Sequence, residues 1–307
     1  MLKQRSCKTS AYYSWGDRME PFVQAREIEN RNEAETPSLF LLSEWMDGDR
    51  GLAAGFSGRG GGVSSAPWNS LNIGLHVGDS PVDAVENRRR LAEAIGWPFE
   101  AWTCAEQVHG TLVAEVKAED RGRGRIEQSD ALAGCDAIMT NVPGLLLASF
   151  YADCVPLYFY EPQLGAVALA HAGWKGTVGE IAAKTVEAMG KAYGAAPESI
   201  QAAIGPSIGG CCYEVYGPVV EEIERLLVKL KLDQTFAESC LQRNENGKAF
   251  VNLKEINRQI MIKAGILPSR IEITNWCTGC RTDLFFSHRL EGGKTGRMAS
   301  WIGIRER

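Results

Sequence analysis

Two apolar runs, residues 155–160 (V-P-L-Y-F-Y) and 166–170 (A-V-A-L-A), are separated only by Glu161-Pro162-Gln163-Leu164-Gly165. Each has the length of a strand, and the Pro and Gly between them punctuate a turn, so the stretch reads as a β-hairpin. Cys154 stands just before the first run and His171 just after the second. Centring the turn on Pro162 and Gln163 sets Cys154 opposite His171. Residues facing one another in an antiparallel pair carry Cβ atoms about 4.5–5.5 Å apart, close enough for a thiolate and an imidazole to share one metal ion.

Strand-like runs at 39–43 and 52–57, with a Gly/Asp turn between them, open the packed part of the chain. The glycine-rich stretch 57–64 (S-G-R-G-G-G-V-S) reads either as a connecting loop or, with Arg59 inside it, as an anion clamp whose backbone N–H groups face the ligand. Ser80-Pro81 is a cap followed by Pro at the first helical position, so a helix is expected over 81–95, with Val85, Leu91 and Ile95 inward and Gly96 at its end. A strand over 103–108 would end at Gln107-Val108-His109-Gly110. Further strands are expected at 112–116, 136–140, 145–150, 200–204 and 271–274. The charged loop 121–128 reads as solvated surface. Helices are expected from Gly173 to about Ala192, with its N-terminus near the Cys154–His171 pair, and over 218–231 and 253–264. Short strands mixed with helices, without regular alternation, imply an α+β fold: a single domain over 38–307 with mixed β-sheets flanked by helices. Residues 1–37 are polar and aperiodic and are expected to form a poorly ordered arm, with Met19 a candidate true start.

Histidine is scarce: His76, His109, His171 and His288 are the four in 307 residues. With Cys154, the two at strand ends offer two imidazoles and one thiolate. Three protein ligands and an open fourth position are the pattern of a catalytic zinc, while the same set also resembles a blue-copper centre. A multicopper oxidase needs further histidines for its trinuclear cluster, and only two are left over. Nine cysteines in a long chain without an apolar leader in residues 1–14 point to reduced thiols and a cytoplasmic location. Cys277-x-x-Cys280 leaves several readings open: a second zinc site with Cys211 and Cys212, a redox pair, or plain buried or loop cysteines, with Cys211 or Cys212 as catalytic nucleophile a further alternative. The formal charge of -5, without Lys/Arg blocks, argues against non-specific nucleic-acid binding, and no apolar run approaches the ~20 residues of a membrane span.

The motifs S-G-R-G-G-G-V-S, N-S-L-N-I-G-L-H-V-G-D, Q-V-H-G, A-D-C-V-P, A-H-A-G-W-K-G-T, G-P-S-I-G-G-C-C-Y-E-V and F-F-S-H-R…T-G-R-M-A-S together resemble the bacterial YfiH/YlmD-type laccase-domain family. The likeness runs from about Leu39 to the C-terminus, with His288 where the family commonly has Tyr. Members of that family, once labelled polyphenol oxidases, are regarded as zinc-containing purine nucleoside phosphorylases with adenosine deaminase activity. The resemblance implies an α+β fold and zinc on His109, Cys154 and His171, with copper the lesser alternative. It also implies phosphorolysis of adenosine, inosine and 5′-methylthioadenosine, and deamination of adenosine. A role in editing cell-wall precursors, also proposed for some relatives, is the rival reading. Cys154 and Asp153 are the candidate catalytic residues, Asp153 either shuttling a proton or orienting a histidine. Arg59, Asn69, Lys175 and Arg289 are the candidate substrate contacts, with Arg297 a further basic residue in a motif; the partners expected are purine nucleosides and phosphate.

Overall fold

The central hairpin forms with both strands wholly buried: residues 155–161 and 166–172 pair from Val155–Ala172 to Glu161–Ala166 in register. The computed structural model describes residues 19–25, 36–49 and 51–306. In the first half of the chain these contain β1 (Phe22–Gln24), β2 (Leu39–Leu42), α1 (Ser43–Gly48), β3 (Leu52–Ser57), α2 (Pro81–Ala94), β4 (Trp102–Cys104), β5 (Val113–Glu115), β6 (Ala137–Thr140) and β7 (Leu146–Tyr151). The second half contains β8 (Val155–Glu161), β9 (Ala166–Ala172), α3 (Trp174–Val178), α4 (Ile181–Tyr193), β10 (Gln201–Ile204), β11 (Glu214–Val215), α5 (Pro218–Lys229), α6 (Gln234–Cys240), β12 (Leu241–Arg243), β13 (Ala249–Val251), α7 (Leu253–Lys263), β14 (Ile271–Ile273) and β15 (Met298–Ile304).

Two mixed six-stranded sheets, in the orders β1-β2-β3-β15-β7-β4 and β14-β10-β8-β9-β6-β5, are accompanied by a small antiparallel sheet, β11-β13-β12. Side-chain alternation along the strands explains how they stack. Leu52, Ala54, Phe56, Leu147 and Ile302 of the first sheet share one core with Tyr158, Tyr160, Val167 and Leu169 of the second. The opposite face of the second sheet, including Leu157, Phe159 and Ala168, buries the apolar sides of α4, α5 and α7. The outer face of the first sheet, through Ala148, Ala299 and Trp301, is covered by Leu91 and Ala92 of α2. The result is a helix–sheet–sheet–helix stack of the α+β class.

The expected helix after Ser80 forms as α2: the Ser80 hydroxyl accepts from the Asp83 N–H at 3.3 Å, and Gly96 follows with φ 67°. Its buried positions include Leu91, whereas Val85 and Ile95 are only partly covered. Other expectations need correction. A helix, α1, rather than a turn joins β2 to β3, because Trp45 folds inward beside the Tyr160 ring at 6.1 Å. The strand expected over 103–108 stops at Cys104, since Gln107 and His109 both take left-handed backbone, φ 61° each. The single helix expected after His171 is two, broken at Glu180 with φ 58°. The hairpin register is shifted: Pro156, not Cys154, faces His171. Of the arm expected over residues 1–37, Phe22 is fully buried and β1 pairs β2, so packed structure begins before residue 38, while residues 1–18 and 26–35 lie outside the described residues. No described helix is long and apolar enough to cross a membrane.

Candidate metal centre

Continuing the β8–β9 register past Val155–Ala172 sets Cys154 across from Gly173, with His171 its diagonal neighbour on the same face. His109 reaches them from the turn after β4. The Cys154 sulfur and one ring nitrogen from each histidine all lie within 4.8 Å of one another, and the two imidazoles stand edge to face at 82°. A Cβ on Gly173 would come within 3.1 Å of the Cys154 sulfur and 3.2 Å of His109 Cδ2. Glycine there leaves the space the three donors converge on.

Asp136 organises the cluster. It directly precedes β6, whose antiparallel pairing with β9 continues so that Asp136 faces His171. Its carboxylate accepts the backbone N–H groups of Val108 at 3.1 Å, His109 at 2.9 Å and Gly110 at 2.6 Å, and meets His171 Nδ1 at 2.9 Å. Burial would raise the Asp136 pKa, but the bond to His171 and the backbone donors hold it below the usual carboxylate range. With Nδ1 so engaged, Nε2 of His171 is the nitrogen left to a ligand. Burial alone would push the Cys154 thiol up; the His171 charge and hydrogen bonds from both imidazoles outweigh it and bring the thiol down to about 6. Conversely, burial lowers His171 while the neighbouring sulfur and Asp136 raise it to about 9. The neighbouring imidazoles thus favour the thiolate, the form in which a cysteine binds metal. His171 is 4% exposed and His109 lies at the surface, so the cluster opens on the His109 side.

Asp153 sits in a cage of its own. Its φ is 84°, and its carboxylate accepts the Thr278 hydroxyl at 2.6 Å, the Ser287 hydroxyl at 2.8 Å and the Arg289 N–H at 2.7 Å. Those bonds gather the loop between β14 and β15 onto the residue preceding Cys154; the carboxylate partner of the imidazole is Asp136. Among the candidate contacts, Arg289 donates to the Glu214 carbonyl and lies 5.1 Å over the Tyr213 ring. Lys175 is exposed, its ammonium 5.8 Å from the Trp174 ring. Arg59 is engaged elsewhere: it pairs with Glu291 at 2.9 Å, donates to Thr282 O at 2.6 Å and to Asn69 O, and lies over Phe286. Arg297 donates to Thr295 O and Gly296 O, each at 3.0 Å. Burial lowers its pKa, and Cys154 and Asp153 oppose that shift. The sequence singled out neither Asp136 nor Gly173. An acid at the mouth of an apolar strand and a glycine two residues after a candidate ligand were the available signals.

Residues 53–305 match a family model described as multi-copper polyphenol oxidoreductase laccase. Over 258 residues the chain is 45% identical to a protein of Geobacillus stearothermophilus named purine nucleoside phosphorylase YlmD, covering 83% of this chain and 91% of that one. A Bacillus subtilis protein of the same name is 40% identical over 276 residues, 88% of this chain and 96% of its own. The crystal structure of the Geobacillus stearothermophilus YlmD superposes with a TM-score of 0.83 at 41% identity, covering 93% of this chain and all of that one.

Proposed function

Because this chain belongs to the multi-copper polyphenol oxidoreductase laccase family, we propose from its site and its relatives' names that it is a zinc-dependent purine nucleoside phosphorylase. On this reading it cleaves adenosine, inosine and 5′-methylthioadenosine with phosphate, giving the base and the corresponding ribose 1-phosphate, and also deaminates adenosine to inosine. The observation that carries the reading is the convergence of His109, Cys154 and His171 within 4.8 Å, in a chain 45% identical to a protein named for phosphorolysis.

The donor set fits zinc: one thiolate and two imidazoles, a glycine that clears room for them, and a carboxylate that fixes one ring's tautomer. Bound there, the ion would supply a Lewis acid at the substrate. A copper oxidase is disfavoured because the chain has only four histidines, and the two outside the cluster, His76 and His288, are too few for a trinuclear cluster. In phosphorolysis a phosphate oxygen forms the new bond to C1′ while the C1′–N9 bond breaks, its electron pair leaving with the base, which then takes a proton. Arg289 and Arg297 are the proposed partners of the phosphate charge. Asp153 serves as a positioning residue by holding the Arg289 backbone, and Lys175 stands at the exposed rim.

Incubation of the purified protein with adenosine, with and without phosphate, tests the proposal. Free adenine and ribose 1-phosphate are expected only with phosphate, and inosine in both. Adenine release indifferent to phosphate, or turnover of cell-wall precursors with none of nucleosides, would overturn it.

A further inference from the structure

Four of the cysteines gather at a second point. Cys211 and Cys212 lie in the loop after β10, and Cys277 and Cys280 in the loop after β14; their four sulfurs lie within 4.8 Å of one another. Cys211 to Cys280 is 3.4 Å, Cys212 to Cys280 is 3.5 Å and Cys211 to Cys277 is 3.6 Å. A disulfide would bring two sulfurs to about 2.05 Å. Four thiolates at ~2.3 Å from a common zinc, on the corners of a tetrahedron, stand about 3.8 Å apart. An iron–sulfur cluster, with several metal and sulfide atoms between its thiolates, holds them farther apart than this. The spacing is thus that of one mononuclear ion.

The surroundings are shaped for four sulfurs. A Cβ on Gly209 would meet the Cys211 sulfur at 3.2 Å and the Cys277 sulfur at 3.4 Å; one on Gly279 would meet Cys212 Cβ at 2.9 Å and its sulfur at 3.1 Å. The Gly209 N–H donates to the Cys277 sulfur at 3.1 Å, as backbone amides do to metal-bound thiolates. The pair Ser207 and Cys277 forms a β-bridge, so the loops arrive already in register. Adjacent cysteines are an unusual pair of ligands, but the turn in which Cys212 N and Tyr213 N both bond Gly209 O lets both sulfurs face the same centre.

We propose that Cys211, Cys212, Cys277 and Cys280 form a structural tetrathiolate zinc site, separate from the His109–Cys154–His171 cluster. Its role follows from what the two loops hold. One provides Ile208 N–H to the Asp153 carbonyl at 2.9 Å; the other provides the Thr278 hydroxyl to the Asp153 carboxylate at 2.6 Å. Zinc across the four sulfurs fastens these loops together and fixes the cage around Asp153, and its binding free energy becomes folding free energy of that region.

Zinc content of the full chain, purified under reducing conditions, tests the site. Two equivalents are expected in the parent protein, one in Cys154→Ala, one in Cys280→Ser and none in the double variant. A Cys280→Ser protein that retains the parent's zinc content overturns the proposal, as does a Cys211–Cys280 or Cys212–Cys280 disulfide in freshly isolated parent protein. Should Cys280→Ser fail to fold, zinc X-ray absorption of the parent decides. With both sites filled, the mean is about 2.5 sulfurs per zinc, four and one shared over two ions; with only the histidine site filled it is about one. The second value overturns the proposal, whatever the activity of the protein.

Discussion

Asp136→Asn probes the cluster at the residue that assembles it. The substitution keeps shape and volume but replaces one acceptor oxygen with an NH2 donor, and every neighbour of that carboxylate is a donor or a ring nitrogen. If the amide nitrogen takes the Oδ2 position, the Val108 and Gly110 N–H groups, now at 3.1 and 2.6 Å from an acceptor, both face a donor. Each stranded N–H costs about 1–3 kcal/mol, so this orientation loses roughly 2–6 kcal/mol. If it takes the Oδ1 position, only the His109 N–H is stranded, at about 1–3 kcal/mol, but His171 Nδ1 must accept instead of donate. The ring proton then moves to Nε2 and blocks the metal-facing nitrogen. The cheaper orientation is therefore the one that damages the ligand, and zinc affinity should fall about 10–100-fold. Urea unfolding of the metal-stripped protein gives the stability loss. Competition with a chromophoric chelator, read against Cys154→Ala as a blank, gives the affinity. An Asp136→Asn protein with the parent's unfolding midpoint and the parent's zinc affinity would refute the reasoning.

Gly173→Ala places a Cβ 3.1 Å from the Cys154 sulfur at a residue whose φ of -69° suits alanine, so zinc binding should weaken by roughly tenfold with little change in urea midpoint; a large midpoint shift with unchanged affinity would locate the strain elsewhere. Arg88→Leu removes a buried guanidinium that donates to Ile73 O, Gly124 O and Arg125 O at 2.8, 2.7 and 2.9 Å, and should destabilise by about 3 kcal/mol or more, checked by urea unfolding; a loss below ~1 kcal/mol would mean water replaces those bonds. Protein purified without added copper should lack strong blue absorption, and copper-dependent phenol oxidation abolished by His76→Ala would restore the oxidase reading.

What the sequence made legible was whatever local chemistry decides. Ser80-Pro81 and Gly96 bracket α2, and the continuous apolar runs of β8 and β9 declare a hairpin buried on both faces. The same continuity hid the register. Shifting the pairing so that Pro156 instead of Cys154 faces His171 moves every residue by two in its partner, which preserves faces, so uniformly apolar strands cannot choose between them. The choice is made in the turn, where the Glu161 carboxylate accepts the Leu164 N–H at 2.6 Å. Arg59 shows the opposite limit. Glycines around a cation suggest an anion site locally, but its counter-charge, Glu291, comes from 232 residues away. The long-range partners of β15, which enters the middle of the first sheet between β3 and β7, carry no local signature either.

Asp136 and Asp153 show why the cluster is legible as candidate ligands but not as a site. Ligand identity is a property of three side chains, readable from Q-V-H-G, A-D-C and A-H-A-G-W one at a time. Ligand geometry depends on backbone held in unfavourable conformations, φ 61° at Gln107 and His109 and 84° at Asp153, and such backbone persists only where surrounding bonds over-determine it. Asp136 does this for the His109 turn with three N–H bonds, while it holds His171 across the β6–β9 pair. Asp153 does it for its own turn by tying together Thr278, Ser287 and Arg289. Each carboxylate joins segments distant in the chain, so neither has a meaning in the sequence until the sheets bring those segments together. A fold that places its ligands on a rigid hairpin and on one strained turn can reach a tight metal geometry only if the turn is fastened to the hairpin. The Asp136 carboxylate is that fastening, which makes it as necessary to the centre as any of the three atoms that would touch the ion.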